Sequence, residues 1–516
     1  MKRGIFLAFA AYALSLLSPH AACPAPSKSL LEKGIAEYHA ENYDEALELF
    51  KKVLRRDPSS AQALLYLGAT YKQMGQYRDA AGVYRAAAAL DPPVRDAYPE
   101  LIETLYMLNQ LDEAKQWLAR AEKAGPVSGR VAYFKGLILA KEGKSAEAIA
   151  SFERAKALDG ALVQIGDYQI AVLHATERRW SEAKKRLRAV IAVDPATAAA
   201  SYAREYEAAL SRSLAAYKPW QLSISAAYQY DDNVVLEPSA FISPNYQESV
   251  RRGGGTGDSA LVNSVKIAYE PLLEGAWSLS AHYGLDSTVY REINELTYLS
   301  QSIFLTPGYA FERGAVSLSA GYYYSWLHER EYMGVLSLLP TVSVIVAPRH
   351  IVQFGFGYSK RDLRPQTAPD DNRDADLYTV SLGYLYQFAK ERGLASLRYE
   401  YAVEDAEGNN WENLGNRIGV SMLLPLAEKV SVTTAGEVLW QDYRNIDSAT
   451  LSGAEGFPGT PTKRKDRIYS GSAGVDWKPS KGLTVRVQYS YTRDDSNFTI
   501  YDFERNQYTA GLEYVF

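Results

Sequence analysis

The chain has little of what most enzymes and nucleic-acid binders are built on. Among 516 residues there is one cysteine, Cys23, which excludes intramolecular disulfides, a CxxC redox pair and cysteine-rich zinc sites. The six histidines, His20, His39, His174, His282, His328 and His350, stand singly with no HExxH or His-x-His spacing, so no metal site is expected. Basic residues number 56 against 61 acidic ones, and a net charge of −5 carries no footprint for phosphate, which removes nucleic acid from the expected partners. Beyond the first 25 residues no apolar run approaches the roughly 18 that mark a membrane-crossing helix. No nucleophile can be placed beside a partnering base, so no catalytic or cofactor-binding residue is assigned and the chain is not read as an enzyme. The run Gly253-Gly254-Gly255-Thr256-Gly257 opens no helix after a strand and reads as a loop rather than a phosphate cradle. The acidic pairs Asp231-Asp232 and Asp370-Asp371 read as solvated strand ends in preference to calcium or acid–base sites.

What the chain has in excess is tyrosine, 39 against 15 phenylalanines. An aromatic with an apolar body and a polar tip suits the boundary between water and hydrocarbon. At the start, Lys2 and Arg3 precede an apolar run from Gly4 to about Leu17 and a small-residue patch, Ala21-Ala22-Cys23. That order is an export signal over residues 1–25, with ordinary cleavage near residue 25 expected over acylation of Cys23.

Residues 27–216 repeat. Ala46, Ala80, Ala114, Ala148 and Ala183 recur at spacings of 34, 34, 34 and 35, the tetratricopeptide period. The second copy is the cleanest, with Leu67-Gly68, Tyr71, Gly75, Tyr77, Ala80, Tyr84, Ala87 and Pro92 in register. Glycine and alanine let the two helices of a unit approach, aromatics fill the groove between them, and proline ends the second helix. Five units are expected, followed by a capping helix over Ala198–Ala216. The 27 basic and 25 acidic residues of this segment give the concave surface no overall sign. Leu65, Ala69 and Lys72 are the candidate groove for a docked client.

From Tyr217 the period changes to two and stays so to Phe516. In Trp220–Tyr230, Leu222, Ile224, Ala226, Tyr228 and Tyr230 share one face and Gln221, Ser223, Ser225 and Gln229 the other. Fourteen such segments follow one another, joined alternately by short turns and by longer polar connections, as an even-stranded membrane barrel requires. The last segment places Tyr508, Ala510, Leu512, Tyr514 and Phe516 on its apolar face, and Leu512, Tyr514 and Phe516 resemble the signal by which bacterial outer-membrane proteins are recognised for insertion. Arg398, Glu400, Glu437, Asp476, Arg486 and Glu513 fall on the inward face with mixed sign, so no ladder of one charge lines the lumen. The expected fold class is α + β multidomain: an N-terminal α-solenoid of tetratricopeptide repeats over 27–216 and a C-terminal 14-stranded antiparallel transmembrane β-barrel over 217–516.

An export signal, helical repeats and a fourteen-stranded barrel together resemble the surface lipoprotein assembly modifier (Slam) family of Gram-negative bacteria. The stretch Tyr228-Gln229-Tyr230-Asp231-Asp232-Asn233-Val234 is similar to the start of that family's barrel, with Asp231, Asp232 and Asn233 at its centre. The resemblance implies an outer-membrane factor with its N-terminal domain in the periplasm, delivering lipoproteins or other exported proteins to the cell surface. The implied partners are outer-membrane lipids, the barrel-assembly machinery and an exported client held by the repeats, and no cofactor is implied. The competing expectation is an exopolysaccharide export porin with a periplasmic repeat scaffold. The resemblance there is to longer repeat arrays and barrels of sixteen or more strands.

Overall fold

The computed structural model describes residues 26–240, 242–243, 256–364, 368–390 and 392–516. The expected leader over 1–25, Cys23 and glycines 253–255 lie outside the described residues. The chain divides into two units, Met1–Ala216 and Tyr217–Phe516.

The first unit is a stack of helix pairs: α1 (Pro26–His39) with α2 (Tyr43–Arg56), α3 (Ala61–Gln73) with α4 (Tyr77–Ala88), α5 (Ala97–Met107) with α6 (Leu111–Lys123), α7 (Gly129–Lys141) with α8 (Ser145–Leu158) and α9 (Val163–Thr176) with α10 (Trp180–Val193). One small-to-large contact sets the approach of each pair. A methyl added to Gly34 would stand 2.8 Å from the Phe50 ring, one on Gly68 2.4 Å from Tyr84, and one on Gly136 2.6 Å from Phe152. At the equivalent places the third pair has Ile102 with Leu118 and the fifth Ala171 with Leu187, all buried. Where the first partner gains atoms the second loses its ring, so the volume between the helices is conserved. The helix α11 (Ala198–Ala216) buries Ala200 and Ala203 in its first turns, Ala203 in a cluster with Leu187 and Val190 of α10.

The second unit is a closed barrel of fourteen antiparallel strands, β1 (Trp220–Asp231) to β14 (Phe503–Val515), each bonded to its sequence neighbours and β1 to β14. In hydrocarbon a strand edge has no water to satisfy it, so closure is what makes these strands viable. The period-two alternation becomes two surfaces. Ile224, Tyr228, Tyr508, Leu512 and Tyr514 face outward and are exposed, while the residues between them turn into the barrel. Aromatic side chains collect at both rims. At the short-turn rim Trp220 lies on Tyr269 with centroids 4.4 Å apart and Trp277 meets Tyr309 at 5.0 Å, while further along Tyr489 meets Tyr508 at 5.2 Å. Trp220 and Tyr230 are ten residues apart, which at ~3.3 Å per residue and a tilt of about 40° spans a band of roughly 25 Å.

One connection differs from the sequence expectation. The alternation places consecutive strands at Val316–Leu327 and Leu336–Val346, with residues 328–335 as the connection between them. In the structure β6 (Arg330–Ala347) begins six residues earlier and joins β5 (Gly314–Leu327) through His328 and Glu329 alone. Both have positive φ, 46° and 65°, the two-residue hairpin geometry whose twist matches that of the strands. Above the apolar band a strand carries charge without penalty, so hydropathy does not mark its end.

The packing of the repeat pairs is testable. Gly68→Ala should lower the stability of the repeat unit by about 1–3 kcal/mol through overpacking against Tyr84. Adding Tyr84→Leu, the pairing that the fifth repeat uses, should recover most of that loss. Thermal unfolding followed at the helix signal reads both, and a double variant no better than the single one would refute the conserved-volume account.

Candidate functional site

Leu65, Ala69 and Lys72 all lie on α3, and Leu65 is half-buried against the core of the stack. Lys72 is no free cation. Its Nζ lies 2.9 Å from Glu100 and 3.2 Å from Glu103 on α5, and Arg130 of α7 reaches the same two carboxylates at 2.5 and 2.6 Å. Four charges therefore join the first helices of three successive repeats. Burial pushes the Glu100 carboxyl up, but Lys72 and Arg130 outweigh it and hold the group down at about 2 against an ordinary 4.5. The nearby Lys141 ammonium stands 4.2 Å over the Tyr106 ring. A second network ties Lys156, Asp167, Arg186 and Glu153 across the fourth and fifth pairs at 2.6–2.9 Å. Sequence reasoning named Lys72 and missed Glu100, Glu103 and Arg130. The signal that would have found them is opposite charge at a separation near one repeat, here 27 to 31 residues.

Asp231, Asp232 and Asn233 sit where the barrel closes. Asp231 ends β1, is fully buried, and accepts from Arg505 Nε at 3.1 and 2.9 Å, from Arg505 Nη2, and from Gln507 Nε2 at 3.0 Å, both on β14. Asp232 accepts from the Asn506 amide at 2.7 Å and from its side-chain nitrogen at 2.8 Å. Asn233 donates to the carbonyls of Glu504 at 2.8 Å and Glu237 at 3.1 Å and accepts from the Glu237 amide at 2.7 Å. The expectation of solvated carboxylates at a strand end is thus corrected for Asp231. The three residues form a clasp across β1 and β14, which among the described strands are the one pair distant in sequence, and its partners Arg505, Asn506 and Gln507 are about 274 residues away, beyond the reach of any local pattern. Asp370 and Asp371 lie in an exposed turn, Asp371 accepting from Asn410 Nδ2 at 2.8 Å.

The inward charges pair with one another. Arg486 binds Asp476 through two hydrogen bonds at 2.6 and 2.9 Å, Arg398 binds Glu400 at 2.9 Å, Arg417 lies 3.4 Å from Glu437, and Glu513 accepts from Ser223 at 2.7 Å. Leu512, Tyr514 and Phe516 are outward and exposed, and the Phe516 amide donates to the Leu222 carbonyl at 2.9 Å. Among the described residues no group of three or more acidic, histidine or cysteine side chains converges on a metal-sized site.

The comparisons fall on the same two units. The family model described as surface lipoprotein assembly modifier matches residues 220–516, more than half of the chain and coextensive with the strands. Tetratricopeptide models match residues 31–93, 71–138 and 129–162. Anaphase-promoting complex subunit 7 of Mus musculus and of Homo sapiens are each 29% identical over 145 residues, 28% of this chain. The chain spans about a quarter of the length of these curated relatives, 25%. A tetratricopeptide protein of Thermus thermophilus is 24% identical with a TM-score of 0.30, covering 36% of this chain and 99% of its own. PilF of Pseudomonas aeruginosa is 23% identical with a TM-score of 0.31, covering 36% and 90%.

Two outcomes test these geometries. Because the Glu100 carboxyl is depressed, its contribution to stability is complete above the ordinary carboxylate value and is lost as pH falls from about 4.5 through about 2. Thermal unfolding of the repeat unit across that window should show the loss, and Glu100→Gln should flatten it. At the barrel, Asp231→Asn and Arg505→Ala should each lower the temperature at which the folded form is lost on a semi-native gel. Breaking one side of a buried pair costs about 3–5 kcal/mol. Effects that simply add in the double variant would refute the clasp.

Proposed function

The chain belongs to the surface lipoprotein assembly modifier family, and from that premise we propose that it is an outer-membrane assembly factor whose repeats dock an exported lipoprotein or protein client and hand it to the barrel. The observation that carries this reading is the coincidence of the family match, residues 220–516, with a closed fourteen-stranded barrel whose wall is apolar outside and polar within. The barrel begins and ends at its short-turn rim, which in bacterial barrels faces the periplasm, and the repeats precede β1 by three residues, 217–219. We therefore assign the repeat unit to the periplasm and the longer connections to the cell surface. The α3, α5 and α7 face that carries Leu65, Ala69 and Lys72 is the proposed docking surface, with Glu100, Glu103 and Arg130 fixing the spacing of its helices. Outer-membrane lipids and the barrel-assembly machinery are the further partners of this reading, the latter through Leu512, Tyr514 and Phe516. Among the described residues the inward arginines Arg398, Arg417 and Arg486 are already paired with carboxylates, which does not favour export of an anionic glycan.

Deleting the gene and treating intact cells with protease tests the role. Surface lipoproteins should become protected from cleavage. If all of them stay cleavable while a secreted glycan disappears, the porin reading replaces this one. Removing residues 27–216 should leave a heat-modifiable barrel in the membrane that transfers no client, and full transfer by that truncate would refute docking by the repeats.

A further inference from the structure

The lumen is open along only part of its length. Toward the short-turn rim the inward side chains of Lys266, Arg398 and Arg486 are exposed. Toward the opposite rim, inward residues on strands spread around the wall are buried, among them Asp231, Tyr290, Ser325, Asn413, Tyr443 and Asp494, each less than 9% exposed. An open mouth would leave such groups wet, so something covers them. The cover consists of the barrel's own connections.

The described parts of five of the long-side connections, 232–240, 368–374, 407–412, 447–462 and 497–502, lock to one another. Asn410 Nδ2 donates to Asp371 Oδ1 at 2.8 Å and to Ser448 Oγ at 3.0 Å, and the Ser448 amide donates back to Asn410 Oδ1 at 2.9 Å. The Ile500 amide donates to the Gly456 carbonyl at 3.2 Å, and the Ser239 amide to the Asp502 carbonyl at 2.8 Å. Beneath these bonds lies a stack of cations and rings. The Arg464 guanidinium, rising from the wall, is 3.4 Å from the centroid of Tyr501 and 4.6 Å from that of Tyr443, and is paired with Asp466 at 2.6 Å. Arg373 covers Trp411 at 3.5 Å, and Phe498 is fully buried against Phe457. Arg464 thus touches wall, plug and counter-charge together. The closed arrangement also leaves Trp411 Nε1 and Asp494 Oδ1 buried with no hydrogen-bond partner among the described residues, a feature that favours parting over permanent closure.

We propose that these connections form a plug that shuts the surface side of the lumen, that Arg464 is its keystone, and that an exported chain crosses only when connections 407–412 and 447–462 part. The inference rests on the transport reading above, and its test separates the two. In planar bilayers the full-length wild-type protein should show no steady conductance. Arg464→Ala should open ion-conducting steps, and cells carrying it should become at least ten-fold more sensitive to vancomycin, which an intact outer membrane excludes. Should Arg464→Ala fail to give a heat-modifiable barrel, replacing residues 408–412 by glycine and serine makes the same test. Wild-type silence in a folded open variant would overturn the plug, whatever the deletion strain shows. For the route, Asn410→Cys with Ser448→Cys places a disulfide across the two connections. Oxidised cells should lose protease-accessible surface lipoproteins at least ten-fold and regain them on reduction. Undiminished display in the oxidised state would overturn passage through this mouth while leaving the role from gene deletion intact.

Discussion

A sheet that faces hydrocarbon cannot have an edge. Each backbone N–H or C=O left without a partner there costs several kcal/mol, and no lipid tail can supply one. Everything in the second unit of this protein answers to that constraint. Neighbouring strands find each other through the one connection that joins them, but β1 must find β14 across nearly the whole barrel. Nine paired residues, 223–231 with 507–515, make the ladder. The side chains of Asp231, Asp232 and Asn233 add a second set of bonds where the ladder ends. Two of them, Asp232 and Asn233, grip backbone groups of β14, which fixes register as well as proximity.

The first unit meets an analogous difficulty with different means. A single helix pair has too little apolar surface to fold alone, and stacking repeats joins the faces into one core. The ring of Phe50, Tyr84 or Phe152 lying over a bare glycine makes the first, second and fourth pairs close. The four-charge network through Lys72, Glu100, Glu103 and Arg130 ties successive pairs at a polar surface where apolar contact runs out. Such charges do little for stability when fully wet, but a partly buried, multiply bonded set fixes orientation.

Much of this was legible in the residue pattern alone. The 34-residue recurrence of alanine and the alternation from Trp220 onward are direct imprints of helix stacking and strand pleating, and each repeats often enough to outvote local exceptions. Asp231 shows where such reading stops. By composition it is a carboxylate at the end of a strand, and solvent is the ordinary place for one. Its burial depends on Arg505 and Gln507, which only closure brings near. The hairpin at His328 and Glu329 was hidden for a different reason, since outside the apolar band hydropathy no longer reports on strand geometry. Lys72 was found for its place on the helix face, yet its company was not, because its partners are one repeat away.

That company shapes how the helix face presents itself. With two cations set against two carboxylates at contact distance, the field of the cluster cancels within a few ångströms, well inside the ~8 Å Debye length of a physiological solution. A segment arriving there meets contour and hydrogen-bonding groups rather than a pull from afar. A client docked there as proposed would be discriminated by fit at short range, with little dependence on ionic strength or on its own net charge.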